Sequence, residues 1–294
     1  APSSALPIPG WIAFMPPAFV LLWSTGFIGS KFGLPYAEPF TFLSLRFAIA
    51  ATALTLLSLY ARAPWPNTFV QIRDAVIVGV LMHVTYLGGV FLGISLGTGA
   101  GISAVITGLQ PILITALAIP FLAERVSKLQ AFGLIVGFLG MVLVVWTGQG
   151  AGPWAGMVAC ISALFGITLG TLYQKRVTSA RDLRTTSAVQ QVAAFVCMFP
   201  IALVFETRDV IWSGEFIFAL TWLALPMSVG TFSLLQIMIR YGAVAKVTSL
   251  FYLVPPVVVI ESWFLFGETL DLQQGAGMIL ATLGVALVIA RKKS

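Results

Sequence analysis

Long stretches in which almost every residue is apolar alternate with short polar breaks along the whole chain. The apolar runs fall near residues 11–33, 39–61, 75–96, 99–122, 129–147, 153–175, 184–205, 215–239, 244–266 and 272–290. Each approaches the roughly 20 residues that a helix needs to cross a bilayer core of about 30 Å. They are apolar all round, without the one-sided stripe of a soluble surface helix. Nor are they the short alternating segments of a membrane β-barrel. The pattern predicts an all-α membrane protein of ten transmembrane helices, with the lipid bilayer as its first partner.

Composition sharpens this. Hydrophobic residues make up 59% of the 294 positions and charged residues 9%, against roughly 45–50% and about 25% in a soluble domain. The net charge of +6 would suit a nucleic-acid partner, but its distribution argues against one. The loops after crossings 2, 4, 6 and 8, with the C-terminal tail, hold 13 of the 16 basic residues. The opposite loops carry Lys31 and Arg208 beside Glu38, Glu206, Asp209, Glu215, Glu268 and Asp271. The positive-inside rule then places both termini in the cytoplasm, as an even number of crossings requires. The first run lacks a basic region before it and is 23 residues long, which favours a retained span over a cleaved secretory signal. Cys160 and Cys197 lie inside apolar runs with no metal-site or disulfide spacing, so no metal or cofactor is expected.

A shift of 144 residues brings the two halves into register. It pairs Pro111 with Pro255, Glu124 with Glu268, Gln130 with Gln274 and Gly133 with Gly277, as well as Gly26 with Gly170 and Lys31 with Lys175. The division is into a first unit at 1–147 and a second at 148–294. Five crossings per unit is an odd number, so the second copy enters the membrane from the opposite face. Inverted repeats about a midplane site are the architecture of secondary transporters working by alternating access.

The segment Trp23-Ser-Thr-Gly-Phe-Ile-Gly-Ser-Lys31, with Pro39 and Leu45-Arg46-Phe47, resembles the opening of EamA-type proteins of the drug/metabolite transporter superfamily. Pro111, Phe121-Leu-Ala-Glu-Arg125, Gln130 and Gly133 resemble that family's first-repeat ending, and Phe264-Leu-Phe-Gly-Glu268, Gly277 and Gly284 repeat it. Within the family the chain is most similar to the YddG group of aromatic amino-acid exporters. The resemblance implies two inverted five-helix halves around a cavity lined mainly by helices 1, 3, 4, 6, 8 and 9, and a bacterial inner-membrane location. The halves also differ: Arg46 meets Gln190, and Pro120 meets Phe264.

Polar residues deep in a crossing are costly and mark functional positions. His83, the only histidine, suits substrate binding or proton carriage, or a neutral bond to a neighbouring helix. Glu261 lies roughly 9 Å from the outer end of crossing 9 at 1.5 Å per residue. It suits proton coupling, an ammonium contact or an ion pair. Arg46, about 10 Å deep in crossing 2, suits a substrate carboxylate or a pair with Glu261. Trp23, Tyr86, Phe165, Tyr173 and Tyr252 lie on the helices that the resemblance makes cavity-lining, with Thr107, Gln110, Thr231 and Gln236 as hydrogen-bonding groups. Such a mixture suits a small amphipathic ligand. Gly93, Gly97 and Gly101 span the short 3–4 turn as close-packing or gate residues. Pro111, Pro255 and Pro256 interrupt crossings 4 and 9 and free backbone carbonyls there, as hinges or cavity shapers.

These features predict a membrane transporter, not an enzyme, that exports aromatic or other apolar amino acids by alternating access. An exporter of lipophilic cations or drugs is the alternative; a channel or an intramembrane enzyme is further off. No GxxxxGK[ST] phosphate loop is present, so ATP-driven pumping is not expected from this chain. Proton antiport through Glu261 or His83 and facilitated export both remain open.

Overall fold

A computed structural model of the chain describes residues 15–110, 112–114, 117, 127–146, 153–177, 182–231, 234, 254–269 and 271–289. Its helices are α1 (Met15–Gly33), α2 (Pro39–Tyr60), α3 (Phe69–Ser95), α4 (Ala100–Gly108) and α5 (Lys128–Trp146). Then follow α6 (Trp154–Val177), α7 (Leu183–Phe205), α8 (Gly214–Thr231), α9 (Val254–Phe266) and α10 (Leu272–Ile289). Helices α2, α3, α7 and α8, with Trp154–Gln174 of α6, are long and apolar enough to cross a membrane. Large apolar side chains such as Leu56, Phe138, Val204, Trp263 and Leu272 point outward, while Arg46, Gln190, Gln191 and Thr168 are buried. Lipid is the solvent that suits such a surface, and the protein is an integral membrane protein.

The helix ends follow from local chemistry. Helix α3 starts at Phe69, six residues before the apolar run expected at 75, because the Thr68 hydroxyl caps it by accepting from Gln71 N at 3.3 Å. It ends in a Schellman motif: Thr98 N donates to Gly93 O and Gly97 N to Ile94 O, both at 3.0 Å. Gly97 takes the required left-handed conformation, with φ of 97°, so α4 can begin only a few residues later. Asp182 and Ser213 cap α7 and α8 by accepting from Arg184 N and Phe216 N.

Two π-helical stretches interrupt this regularity, at Val80–Thr85 within α3 and Leu223–Thr231 within α8. In both, a hydroxyl donates to the carbonyl five residues back: Thr85 to Val80 O, and Ser228 to Leu223 O. Pro226, which lacks an N–H, sits inside the second.

Helix α5 packs along α10, α2 on α7, α3 on α6 and α7, and α9 on α1 and α4, while α8 lies against α1 and α2. One end of the bundle gathers the end of α1, the start of α4 and the end of α9. Here Lys31 is ion-paired with Glu268, whose carboxylate also accepts from Ala100 N at 3.3 Å. The start of α6 lies near this end, with Gly156 against Thr98. Glu206 accepts from Phe40 N and Thr41 N at 2.7 and 2.6 Å, capping α2. Glu38 answers by accepting from Thr207 N and Arg208 N, and Ala37 bridges to Val210. The opposite end joins the end of α2 to the start of α7, where Thr185 Oγ1 donates to Pro64 O at 2.8 Å. Asp74 near the start of α3 accepts from Tyr173 Oη on α6 at 2.9 Å.

Candidate functional site

A cavity of about 100 Å³ opens between α1, α2, α3, α7 and α8. Its apolar wall includes Trp23, Phe27, Leu87, Val90, Phe91 and Met227, and its polar lining is Arg46, His83, Tyr86, Ser187, Gln190, Gln191 and Ser228. The two π stretches reach it: one carries Met82 and His83, the other Met227 and Ser228. π-Helical turns are frequent at functional sites because they re-aim side chains and open the backbone ladder.

The polar groups are incompletely satisfied. Arg46 is 5% exposed, and its Nε has no hydrogen-bond partner. His83 is bonded to the Gln190 side chain and leaves Nδ1 without a partner. Gln191 Oε1, on a residue 4% exposed, is likewise unmatched. Buried polar atoms are nearly always paired, so three orphans around one cavity point to a ligand or water that completes them. Trp23 donates to the Tyr86 hydroxyl, and these two rings separate the cavity from a smaller one of about 20 Å³. Thr107, Gln110 and Pro255 line that second space, where Gln110 Nε2 donates to Thr171 Oγ1 at 2.8 Å.

Of the expected site residues, the structure therefore brings Trp23, His83, Tyr86 and Arg46 to one cavity and Thr107, Gln110 and Pro255 to its neighbour. Phe165 points outward from α6 at 46% exposure. Tyr173 bonds Asp74 near the bundle's end, and Thr231 donates to Pro226 O at 3.3 Å; neither lines a described cavity. An Arg46–Glu261 pair is not formed. Glu261 instead accepts from Ser24 Oγ at 2.9 Å, across the α1–α9 contact, while Arg46 lines the cavity. Gly93 lies against Gly156 O and Cys160, Gly101 against Val259, and Pro256 is half-buried in α9. Pro111, Gln236 and Tyr252 lie outside the described residues.

The main difference from expectation is the weight of α2 and α7. Ser187, Gln190 and Gln191 were not among the candidates, yet with Arg46 they supply much of the polar lining. The signal was available: the 144-residue shift already pairs Arg46 with Gln190, and it pairs His83 with Met227. Both pairs face this one cavity.

An apolar helical bundle around an interior cavity with a few convergent polar groups suits a membrane transporter, and the comparisons give that class and its family. The model of the EamA-like transporter family matches residues 11–146 and again 154–290; the chain belongs to that family, within the drug/metabolite transporter superfamily. It is 24% identical over 284 residues to the uncharacterized transporter YvbV of Bacillus subtilis, covering 94% of this chain and 90% of the relative. The uncharacterized inner membrane transporter YedA of Escherichia coli is 24% identical over 276 residues, covering 94% and 89%. The "Probable amino-acid metabolite efflux pump" of Salmonella typhimurium is 22% identical over 278 residues, covering 90% of each. A solved crystal structure at 18% identity shares the fold, with a TM-score of 0.63 over 94% of this chain and 95% of its own.

Proposed function

We propose that this protein exports aromatic or other apolar amino acids across a bacterial inner membrane by alternating access, most like the YddG group. In this reading ten helices span the bilayer as two inverted units, 1–147 and 148–294, with both termini cytoplasmic. The pairing of helices supports the repeat, which five crossings per unit would make an inverted one. Exchanging each helix for its counterpart five along turns α1–α8 into α6–α3, α1–α9 into α6–α4 and α2–α8 into α7–α3, all of which are observed contacts. The two π stretches and the double match of the family model support it too.

The observation that carries the substrate reading is the cavity itself. It is largely aromatic and aliphatic, with Arg46 buried in its wall and amides beside it. An amino acid with an apolar side chain suits that mixture. The Salmonella relative's printed name is in keeping with this, and the Escherichia coli relative's with the membrane. A lipophilic cation suits it less, because no carboxylate lines the cavity among the described residues. Glu261, held by Ser24 with Oε2 unpartnered, is the candidate for proton coupling. Counterflow of labelled phenylalanine into proteoliposomes, with and without a pH gradient, tests both points. Saturable counterflow is expected, with a gradient response lost in Glu261→Gln; absence of phenylalanine counterflow refutes the amino-acid reading.

A further inference from the structure

We infer that the cavity selects its ligand by the carboxylate, so that an apolar anion binds there without needing an α-ammonium group. This rests on the cavity being the substrate site. Arg46 is its one permanent charge among the described lining residues, and a guanidinium keeps that charge in proteins. Neither an ion pair nor a hydrogen bond ties it to a described residue, and its Nε is buried without a partner. A buried, uncompensated cation is unfavourable until an anion reaches it. The planar fork of donors matches the two oxygens of a carboxylate.

The opposite end of an amino acid finds much less. None of the described side-chain acceptors is a carboxylate: they are the amide oxygens of Gln190 and Gln191, His83, the Tyr86 hydroxyl, and the lone pairs of Ser187 and Ser228, whose hydroxyls already donate to Leu183 O and Leu223 O. Glu261 is engaged by Ser24 and does not line the cavity. The charge of the site is also one-sided. Where the first half supplies Arg46 and His83, the equivalent positions of the second half supply Gln190 and Met227. A bound ligand is thereby oriented with its carboxylate toward α2 and its apolar body among Trp23, Phe27 and Met227.

Calorimetric binding of phenylalanine, 3-phenylpropanoate and phenethylamine to the full purified chain at neutral pH tests this. An ammonium hydrogen-bonded to neutral acceptors is worth roughly one net hydrogen bond. Because that bond has a charged donor, we expect 3-phenylpropanoate to bind about ten- to thirtyfold more weakly than phenylalanine. Phenethylamine, which leaves Arg46 unpaired, should bind about a hundredfold more weakly or worse. Arg46→Gln, which copies the second half's residue, should weaken both carboxylates by about thirtyfold or more. Arg46→Lys, which keeps the charge and loses the fork, should fall between; it serves as the reporter should the glutamine variant fail to fold. Binding of phenylalanine without 3-phenylpropanoate overturns the inference and leaves amino-acid export standing. Binding of 3-phenylpropanoate without phenylalanine removes amino-acid export and upholds the carboxylate site. If neither binds, both fall.

Discussion

Replacing Gly89 by alanine tests the tightest described approach of an α3 glycine to the α6 backbone. A methyl group at Gly89 would sit 2.5 Å from Ala159 O, 2.9 Å from Ala163 Cβ and 3.1 Å from Ala163 N. Ordinary contact begins near 3.4 Å, so the helices must separate by about 0.9 Å. Backbone atoms supply the closest contact, and no rotamer change can relieve it. Overpacking of this kind costs about 1–3 kcal/mol. Alanine meanwhile gains about 0.8–1 kcal/mol in helix propensity over glycine, which would mask part of the loss. Gly275→Ala provides the reference: a methyl group there meets nothing within 4 Å, and it receives a comparable propensity gain. The difference between the two variants then isolates the steric effect, about 1–3 kcal/mol or roughly 5- to 150-fold in the unfolding equilibrium. Unfolding in mixed micelles of rising SDS fraction, followed by tryptophan fluorescence, measures it. Because α3 also carries His83 and Tyr86 into the cavity, phenylalanine affinity should fall in the same variant. Equal midpoints for Gly89→Ala and Gly275→Ala would refute the close α3–α6 approach.

Glu268→Gln should lower the melting temperature more than Lys31→Gln. A part-exposed ion pair contributes at most about 1 kcal/mol, but the Glu268 carboxylate also accepts from Ala100 N at the start of α4; equal effects would mean that the pair with Lys31 is the whole interaction. Glu38 gives a pH signature. Its carboxyl is held below the usual range, chiefly by the Thr207 hydroxyl, with the Arg208 and Thr207 N–H groups adding to this. A lowered folded-state value means that its stabilisation is complete above the unfolded carboxylate range, about 4.3, and is lost as pH falls through the folded value. Glu38→Gln should therefore flatten the acid limb of a stability–pH curve by a small amount, because the group is exposed; an unchanged limb would refute the clasp between the two loops.

The membrane class was legible because it depends on bulk quantities that no local contact can reverse: run length, apolar content and the loop charges. Helix starts were less so. The true start of α3 depends on Thr68, and its first two turns include the polar stretch Gln71-Ile-Arg73-Asp74, which hydropathy alone assigns to a loop. Which side of each helix faces inward was hardest to read. In a helix that is apolar all round, no stripe separates lipid from core, which is how Phe165 came to be expected inside. The first π stretch left no mark either: Val80-Leu-Met-His-Val-Thr85 contains neither glycine nor proline, whereas the second contains Pro226 and Gly230, and the first register change arises where α3 packs against α6 and α7.

What did mark the site was the 144-residue shift, which pairs Arg46 with Gln190 and His83 with Met227. In the proposed two-unit reading these are equivalent positions, and one cavity collects both members of each pair. Conservation of shape together with divergence of chemistry has a physical consequence. Alternating access, as proposed here, needs two states of similar free energy, and repeated halves provide them by packing the same elements in exchanged roles. A ligand bound in one orientation needs the opposite, a difference between the walls. Both demands are met if the backbone, down to the π stretches, repeats while the charge does not. Placing arginine in both halves would put two buried cations around a cavity with no described carboxylate, and their repulsion would oppose closure until two anions entered. One arginine facing one glutamine avoids this and leaves a site suited to one carboxylate at a time.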